Sequence, residues 1–170
     1  MSRQDLWARR AAIVLAGQSE MMFLYNLGDE RTDLTGGWGN DYYINTGYTR
    51  VNMTKASTYM RAYYAPATSA REVSFGPSNA INLTNYKKLV YDIDVIVSPR
   101  NINVFTGTSK SGSTWTSIIG LGTASTGRQL VVIDISAITG SYYLRASVRN
   151  VNDGPTWAAD VSFHSVWLEK

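Results

Sequence analysis

The sequence predicts an all-β protein: an antiparallel β-sandwich of about 8–9 strands, preceded by a short N-terminal α-helix. Three observations support this class. Apolar and polar residues alternate along residues 81–97, which is the period of a strand with one buried face. Similar short segments recur about every ten residues, separated by Gly, Asn, Ser and Pro. The chain has 11 Tyr and 5 Trp but is only 17% charged, a composition typical of β-proteins with aromatic, polar surfaces.

Residues 2–16 show the periodicity of an amphipathic helix. Ser2 can cap it, and Trp7, Ala11 and Val14 fall on one face. Residues 11–17 are too few for a membrane span and barely reach the apolar length of a signal peptide. Two interpretations stay open: the helix packs on its own domain, or it anchors the chain to a neighbouring subunit. The residues predicted to form such an assembly contact are Arg3, Trp7, Arg10 and Val14.

Residues 81–97 are predicted to contain the central strand and the turn that leads into it. A polar turn at residues 83–86 precedes the strand, and Ser98-Pro99 ends it because proline cannot donate to a sheet ladder. The inward row is predicted to consist of Leu89, Tyr91, Ile93, Val95 and Val97.

Further strands follow the same alternation on both sides of this segment. They are predicted at residues 22–26, 50–54, 58–64, 71–75, 101–106, 117–121, 130–135, 142–149 and 161–168. The closing strand is expected to turn Val161, Phe163, Ser165 and Trp167 inward. The long turn-rich loop at residues 27–47 is a candidate for function because long loops in compact domains are often functional.

Length and charge limit the classes of function. A chain of 170 residues can form one domain, residues 21–170, which we expect to fold without the N-terminal segment 1–20. There is no Cys, so disulfides and thiol chemistry are excluded. The net charge of +3 is scattered rather than gathered in a basic stripe. We therefore expect neither a nucleic-acid partner nor membrane insertion.

The sequence predicts no catalytic residues and no enzyme. His164 is the single histidine and lies in the closing strand, where we expect a structural role. No GxSxG, phosphate-loop or dinucleotide-binding motif is present. Paired carboxylates can catalyse glycoside hydrolysis, but we expect the candidates to be solvated residues that pair with Lys or Arg. These candidates are Asp92, Asp94 and Asp134.

The most informative side chains are aromatic. Trp38, Trp115 and Trp157 each lie in a loop rich in Gly, Ser or Pro, whereas Trp167 is predicted to be in the core. Flat indole faces stack on sugar rings while neighbours such as Asp41 bind hydroxyl groups, and the same residue types also anchor protein partners. The alternative is that each loop tryptophan folds back as a lid over the sandwich.

A second candidate surface consists of side chains predicted to point outward. If their strands share a sheet, the resulting face is aromatic and rich in hydrogen-bonding groups, and it suits either a glycan or a second subunit. Its residues are Tyr59, Arg61, Tyr63, Asn101, Asn103, Phe105, Tyr143, Arg145 and Arg149.

Several stretches carry a resemblance to a known family. LYNLGDERTDLTGGWG (24–39), INLTNYKKLVYDIDV (81–95) and the terminal VSFHSVWLEK resemble the carbohydrate-binding type of jelly-roll module in bacteriophage tail and appendage proteins. The likeness covers about residues 21–170 and belongs to the galactose-binding-like β-sandwiches. The N-terminal helix is not part of that module.

The resemblance implies a non-enzymatic virion protein that is made in the host cytoplasm. Its expected partners are a host-surface glycan, other virion proteins and further copies of itself in a homo-oligomer. It needs no cofactor, although such modules often carry a structural calcium ion, for which the acidic residues of the first long loop are candidates. Two alternatives remain: a capsid decoration or head-fibre protein attached through its N-terminal helix, and a glycan-degrading enzyme.

Overall fold

The computed structural model describes residues 21–42, 44, 47–67, 69–99, 101–111, 114–120, 124–150 and 157–170. Within these residues the chain forms thirteen strands and a single helical turn, α1 (Thr32–Thr35). The strands are β1 (Met21–Asn26), β2 (Trp38–Gly39), β3 (Thr49–Arg50), β4 (Thr54–Lys55), β5 (Met60–Ala67), β6 (Arg71–Pro77), β7 (Ile81–Asn82), β8 (Lys88–Val97), β9 (Asn101–Gly107), β10 (Trp115–Gly120), β11 (Gly127–Asp134), β12 (Ser141–Arg149) and β13 (Trp157–Glu169).

Two sheets form the sandwich, as the alternation predicted. The first sheet has the order β11-β8-β13-β5-β4, and β1 pairs with the C-terminal half of β13. The second sheet has the order β10-β9-β12-β6-β2, with β3 beside β6 and β7 beside β12. All of these pairs are antiparallel except the short β3–β6 pair. The predicted all-β sandwich is confirmed.

The core lies between the sheets and consists of the alternating apolar rows. On β8 the predicted row Leu89, Tyr91, Ile93 and Val95 is buried, and on β12 Leu144, Ala146 and Val148 are buried. Val97 is instead 42% exposed at the end of β8, so its predicted inward position is wrong. The strand lies inside the first sheet, between β11 and β13.

The closing strand β13 departs from its predicted alternation. A bulge between Phe163 and Ser165 inserts an extra residue against β8, which reverses the side to which later side chains point. Val166 and Leu168 therefore join the core cluster, whereas Trp167 lies on the outer side. Trp167 is nevertheless only 4% exposed, with its ring 5.8 Å from that of Phe23 and its Nε1 donating to Glu169.

Part of the predicted N-terminal organisation cannot be compared with the structure. The helix over residues 2–16, its assembly residues Arg3, Trp7, Arg10 and Val14, and the boundary near residue 20 all lie outside the described residues. No helix in the described part of the chain is long and apolar enough to cross a membrane.

Candidate ligand-binding face

The outer side of the second sheet carries polar residues that are buried. They alternate with the core rows of β6, β9 and β12, so their side chains point away from the core. The register places Ser147 opposite both Ser74 and Asn103, and Arg149 opposite Glu72 and Asn101. We call this surface the polar face and define it by Glu72, Ser74, Asn103, Arg145, Ser147 and Arg149, together with Trp115 of the neighbouring β10.

Glu72 lies at one end of the polar face. Its side chain is fully buried, and its Oε1 accepts hydrogen bonds from the hydroxyls of Ser74 (2.7 Å) and Ser147 (2.6 Å). Its Oε2 is buried without a hydrogen-bond partner among the described residues. A buried carboxylate oxygen without a partner is costly, which makes it a candidate acceptor for a ligand donor.

An aromatic cluster closes the other end of the polar face. The half-buried indole of Trp115 lies against Gly107, where a Cβ would come within 2.7 Å of the ring, so only glycine lets the indole lie on the strand. The guanidinium of Arg145 is 4.8 Å from the Trp115 ring and 4.2 Å from the Phe105 ring. Arg145 is only 2% exposed, so both rings hold its charge in a fixed place.

Asp41 and Tyr42 of the first long loop, predicted to be functional, meet a second loop, the one that follows β9, beside this cluster. Lys110 of the second loop forms a 2.5 Å ion pair with Asp41 of the first, and this pair holds the pKa of the Asp41 carboxyl below its usual range. Tyr42 is buried, with its ring 5.6 Å from that of Trp115 and its hydroxyl donating to the carbonyl of Pro77. Arg50 donates to the carbonyl of Tyr42 at 2.7 Å, which ties this loop to β3.

The polar face offers more buried hydrogen-bonding atoms than the protein itself satisfies. Asn103 Nδ2, Trp115 Nε1 and Arg149 Nε each lack a hydrogen-bond partner within the described part of the chain. Native proteins leave few such atoms unsatisfied, so several on one face point to an external partner. The sequence alone does not mark Glu72 as a site residue, although its alternation with Val73 and Phe75 places it on the outward side.

The structure contradicts the predicted exposure of Trp38. Its side chain is 3% exposed and belongs to the core cluster, where its ring lies 6.0 Å from that of Tyr25 and 6.3 Å from that of Phe75. The indole Nε1 donates to the carbonyl of Leu24 at 3.2 Å. Trp38 is therefore a lid on the core, because the Gly-rich loop folds inward and pairs with β6.

The structure also separates the second predicted surface into two. Arg61 and Tyr63 lie on β5 of the first sheet, and Tyr59 directly precedes that strand. Arg145 and its neighbours lie on the second sheet. Arg61 forms a bidentate ion pair with Asp160 (2.8 and 2.7 Å) and lies 4.8 Å from the Tyr63 ring. The condition that these strands share a sheet is not met, so the residues cannot form one face.

His164 and Trp157 complete the predicted residues. His164 is half-buried, with its ring 5.5 Å from that of Tyr59. The backbone of Trp157 begins β13, but its side chain lies outside what the structure describes. A role for Trp157 in binding stays a prediction.

Asp92, Asp33 and Glu30 are each paired with a basic side chain. Asp92 is buried rather than solvated and accepts a bidentate pair from Arg128 at 2.6 and 2.7 Å, so its pairing is as expected but its exposure is not. In the first loop, Asp33 pairs with Arg31 and Glu30 pairs with Lys55. No group of three or more His, Asp or Glu residues in the described part of the chain could hold a metal ion.

Comparison with known proteins bears on the fold. No protein-family model and no curated protein matches the sequence. A variant of the family 29 carbohydrate-binding module CBM29-2 superposes with a TM-score of 0.53 at 12% identity, covering 89% of this chain and 92% of that chain. The chain shares the β-sandwich fold of that module. CBM29_1, a family 29 module from Piromyces equi, aligns at 11% identity with a TM-score of 0.47, over 87% of this chain and 88% of that one. At such identities the likeness concerns the β-sandwich alone.

Proposed function

We propose that this protein is a non-enzymatic carbohydrate-binding protein and that glycans bind on the polar face. The observation that carries the proposal is the set of buried, unpartnered hydrogen-bonding atoms of Glu72, Asn103 and Trp115 beside a half-buried indole. Sugars need both features, because a flat aromatic surface covers their C–H face while fixed donors and acceptors bind their hydroxyl groups. The fold shared with a carbohydrate-binding module supports the same function.

Binding of polysaccharides to the intact chain tests this site, by calorimetry and by retardation in gels that contain the polymer. Trp115→Ala is expected to weaken binding at least tenfold, about 1.4 kcal/mol. Gly107→Ala is expected to weaken it as well, because the new Cβ displaces the indole without removing it.

Tyr63→Ala is the matched control, since it removes an exposed aromatic ring from the first sheet. Binding that survives Trp115→Ala but is lost with Tyr63→Ala would transfer the site to that sheet. If neither change affects binding, stacking of a sugar on these aromatic rings is wrong as part of the proposal.

We further propose that the protein is displayed on a bacteriophage virion and binds a host-surface glycan there. This part rests on the resemblance of residues 24–39 and 81–95 to phage appendage modules. The alternative of a capsid decoration protein attached through residues 1–20 needs no glycan. Mass spectrometry of purified particles is expected to detect the chain, and its absence from them would contradict both.

A different surface, on the first sheet, supports a contact with another virion protein or with a second copy of this chain. Five large apolar side chains are notably exposed among the described residues, and all five belong to strands of the first sheet. Tyr63, Ile96, Leu130 and Val132 alternate with core residues of their strands, so they lie on the outer side of this sheet, while Val97 is exposed at the end of β8. Exposed apolar side chains on one side of a sheet are typical of protein interfaces.

A further inference from the structure

The unpartnered atoms of the polar face are mainly donors, which restricts the kind of glycan that fits it. Three buried N–H groups lack partners within the described residues, on Asn103, Trp115 and Arg149, against one acceptor oxygen, Oε2 of Glu72. A neutral sugar offers hydroxyl groups that donate and accept alike. A ligand with additional acceptor oxygens satisfies this face better.

The charges of the polar face favour the same ligand. Arg145 and Arg149 bring two formal positive charges to it, and Glu72, which the register places opposite Arg149, brings one formal negative charge, so the face keeps a formal excess of one positive charge. Arg145 is held at 2% exposure between two rings, and Arg149 is half-buried with its guanidinium 5.9 Å from the Tyr48 ring. Charges that are partly removed from water act more strongly on a ligand than exposed ones do.

Arg149 and the aromatic cluster lie at opposite ends of the polar face. Arg149 and the aromatic cluster around Arg145 are four residues apart on β12, a distance of about 13 Å along an extended strand. One sugar ring can therefore contact Trp115 while a neighbouring unit of the chain reaches Arg149. Guanidinium groups bind carboxylate and phosphate oxygens through charge-assisted hydrogen bonds.

We propose that the ligand is an acidic glycan, with a carboxylate or phosphate group bound by Arg149. This inference rests on the proposed function and specifies the class of polymer. The carboxylate would belong to a uronic acid and the phosphate to a phosphodiester-linked wall polymer; the two share the anionic oxygens that Arg149 recognises.

The test compares polymers that differ in charge, using the intact chain. Polygalacturonate is expected to bind at least tenfold more tightly than its fully methyl-esterified form, which has the same sugar without the charge. This advantage should shrink as the salt concentration rises from about 0.05 M to about 0.5 M, because added salt screens the interaction. Poly(glycerol phosphate) is the phosphate-bearing probe, and a neutral mannan is the reference.

Arg149→Gln is expected to abolish the preference for the charged form, while Arg61→Gln on the first sheet keeps it. Preference for either polygalacturonate or poly(glycerol phosphate) over the neutral polymers supports the inference and identifies the acid. Equal affinity for charged and neutral polymers overturns it but leaves the proposed function standing. If none of the four polymers binds, the proposed function itself has failed.

Discussion

Replacing Trp38 by alanine is expected to lower the free energy of unfolding by about 3–5 kcal/mol, a large part of the total stability of a domain. The indole is only 3% exposed and packs between Tyr25 and Phe75, so its loss leaves a cavity that these rings cannot fill. The carbonyl of Leu24 also loses the donor Nε1. Chemical denaturation of the purified variant measures the change.

Trp115→Ala is the matched control for Trp38→Ala. Trp115 is half-buried on the outer side of the second sheet, so its loss should cost at most about half as much stability while it weakens binding. If both variants unfold at the same denaturant concentration, Trp115 is a structural lid like Trp38. The ligand would then have to bind elsewhere.

Alkaline pH is expected to destabilise the fold steeply above about pH 10. Burial raises the pKa of Tyr25 to about 12, and it raises the pKa of Tyr42, Tyr64 and Tyr91 further. Below the ordinary tyrosine pKa both folded and unfolded chains are protonated, so stability is fully retained. Above it the unfolded chain releases these protons and the folded chain keeps them, so stability is lost as the pH rises towards the folded pKa values.

The size of this effect follows from the number of phenols. Each buried phenol costs about 1.4 kcal/mol for each pH unit above the ordinary pKa, so four of them cost on the order of 5 kcal/mol at about pH 11. Unfolding in urea at a series of pH values, with tyrosinate absorbance recorded in parallel, measures the slope.

Tyr64→Phe and Tyr91→Phe provide the control for the alkaline effect. Neither hydroxyl has a hydrogen-bond partner among the described residues, so each change should cost little at neutral pH and reduce the alkaline slope by one phenol. Titration of all tyrosines near their ordinary pKa in a chain that stays folded would contradict the expectation.

The sequence predicts several residues of the candidate site but not their arrangement in space. The sequence predicts Trp115, Arg145, Asn103 and Asp41 as candidate binding residues, and all four lie on or beside the polar face. The Gly-rich loop around Trp38 predicts an exposed side chain there too. This loop instead folds inward, because Trp38 and Gly39 pair with β6. Glu72 was missed because its carboxylate gains significance only beside Ser147, which is 75 residues away in the chain.

By itself the sequence determined the β-sandwich class, the inward row of β8 from Leu89 to Val95, and the absence of thiol chemistry. These properties are local, because the side-chain period of a strand depends only on consecutive residues. Only the tertiary structure decided which strands share a sheet, and therefore that Tyr63 and Arg145 lie on different sheets. It also decided the bulge in β13 and the inward fold of Trp38, since both depend on pairing between residues far apart in the chain, which local periodicity does not encode.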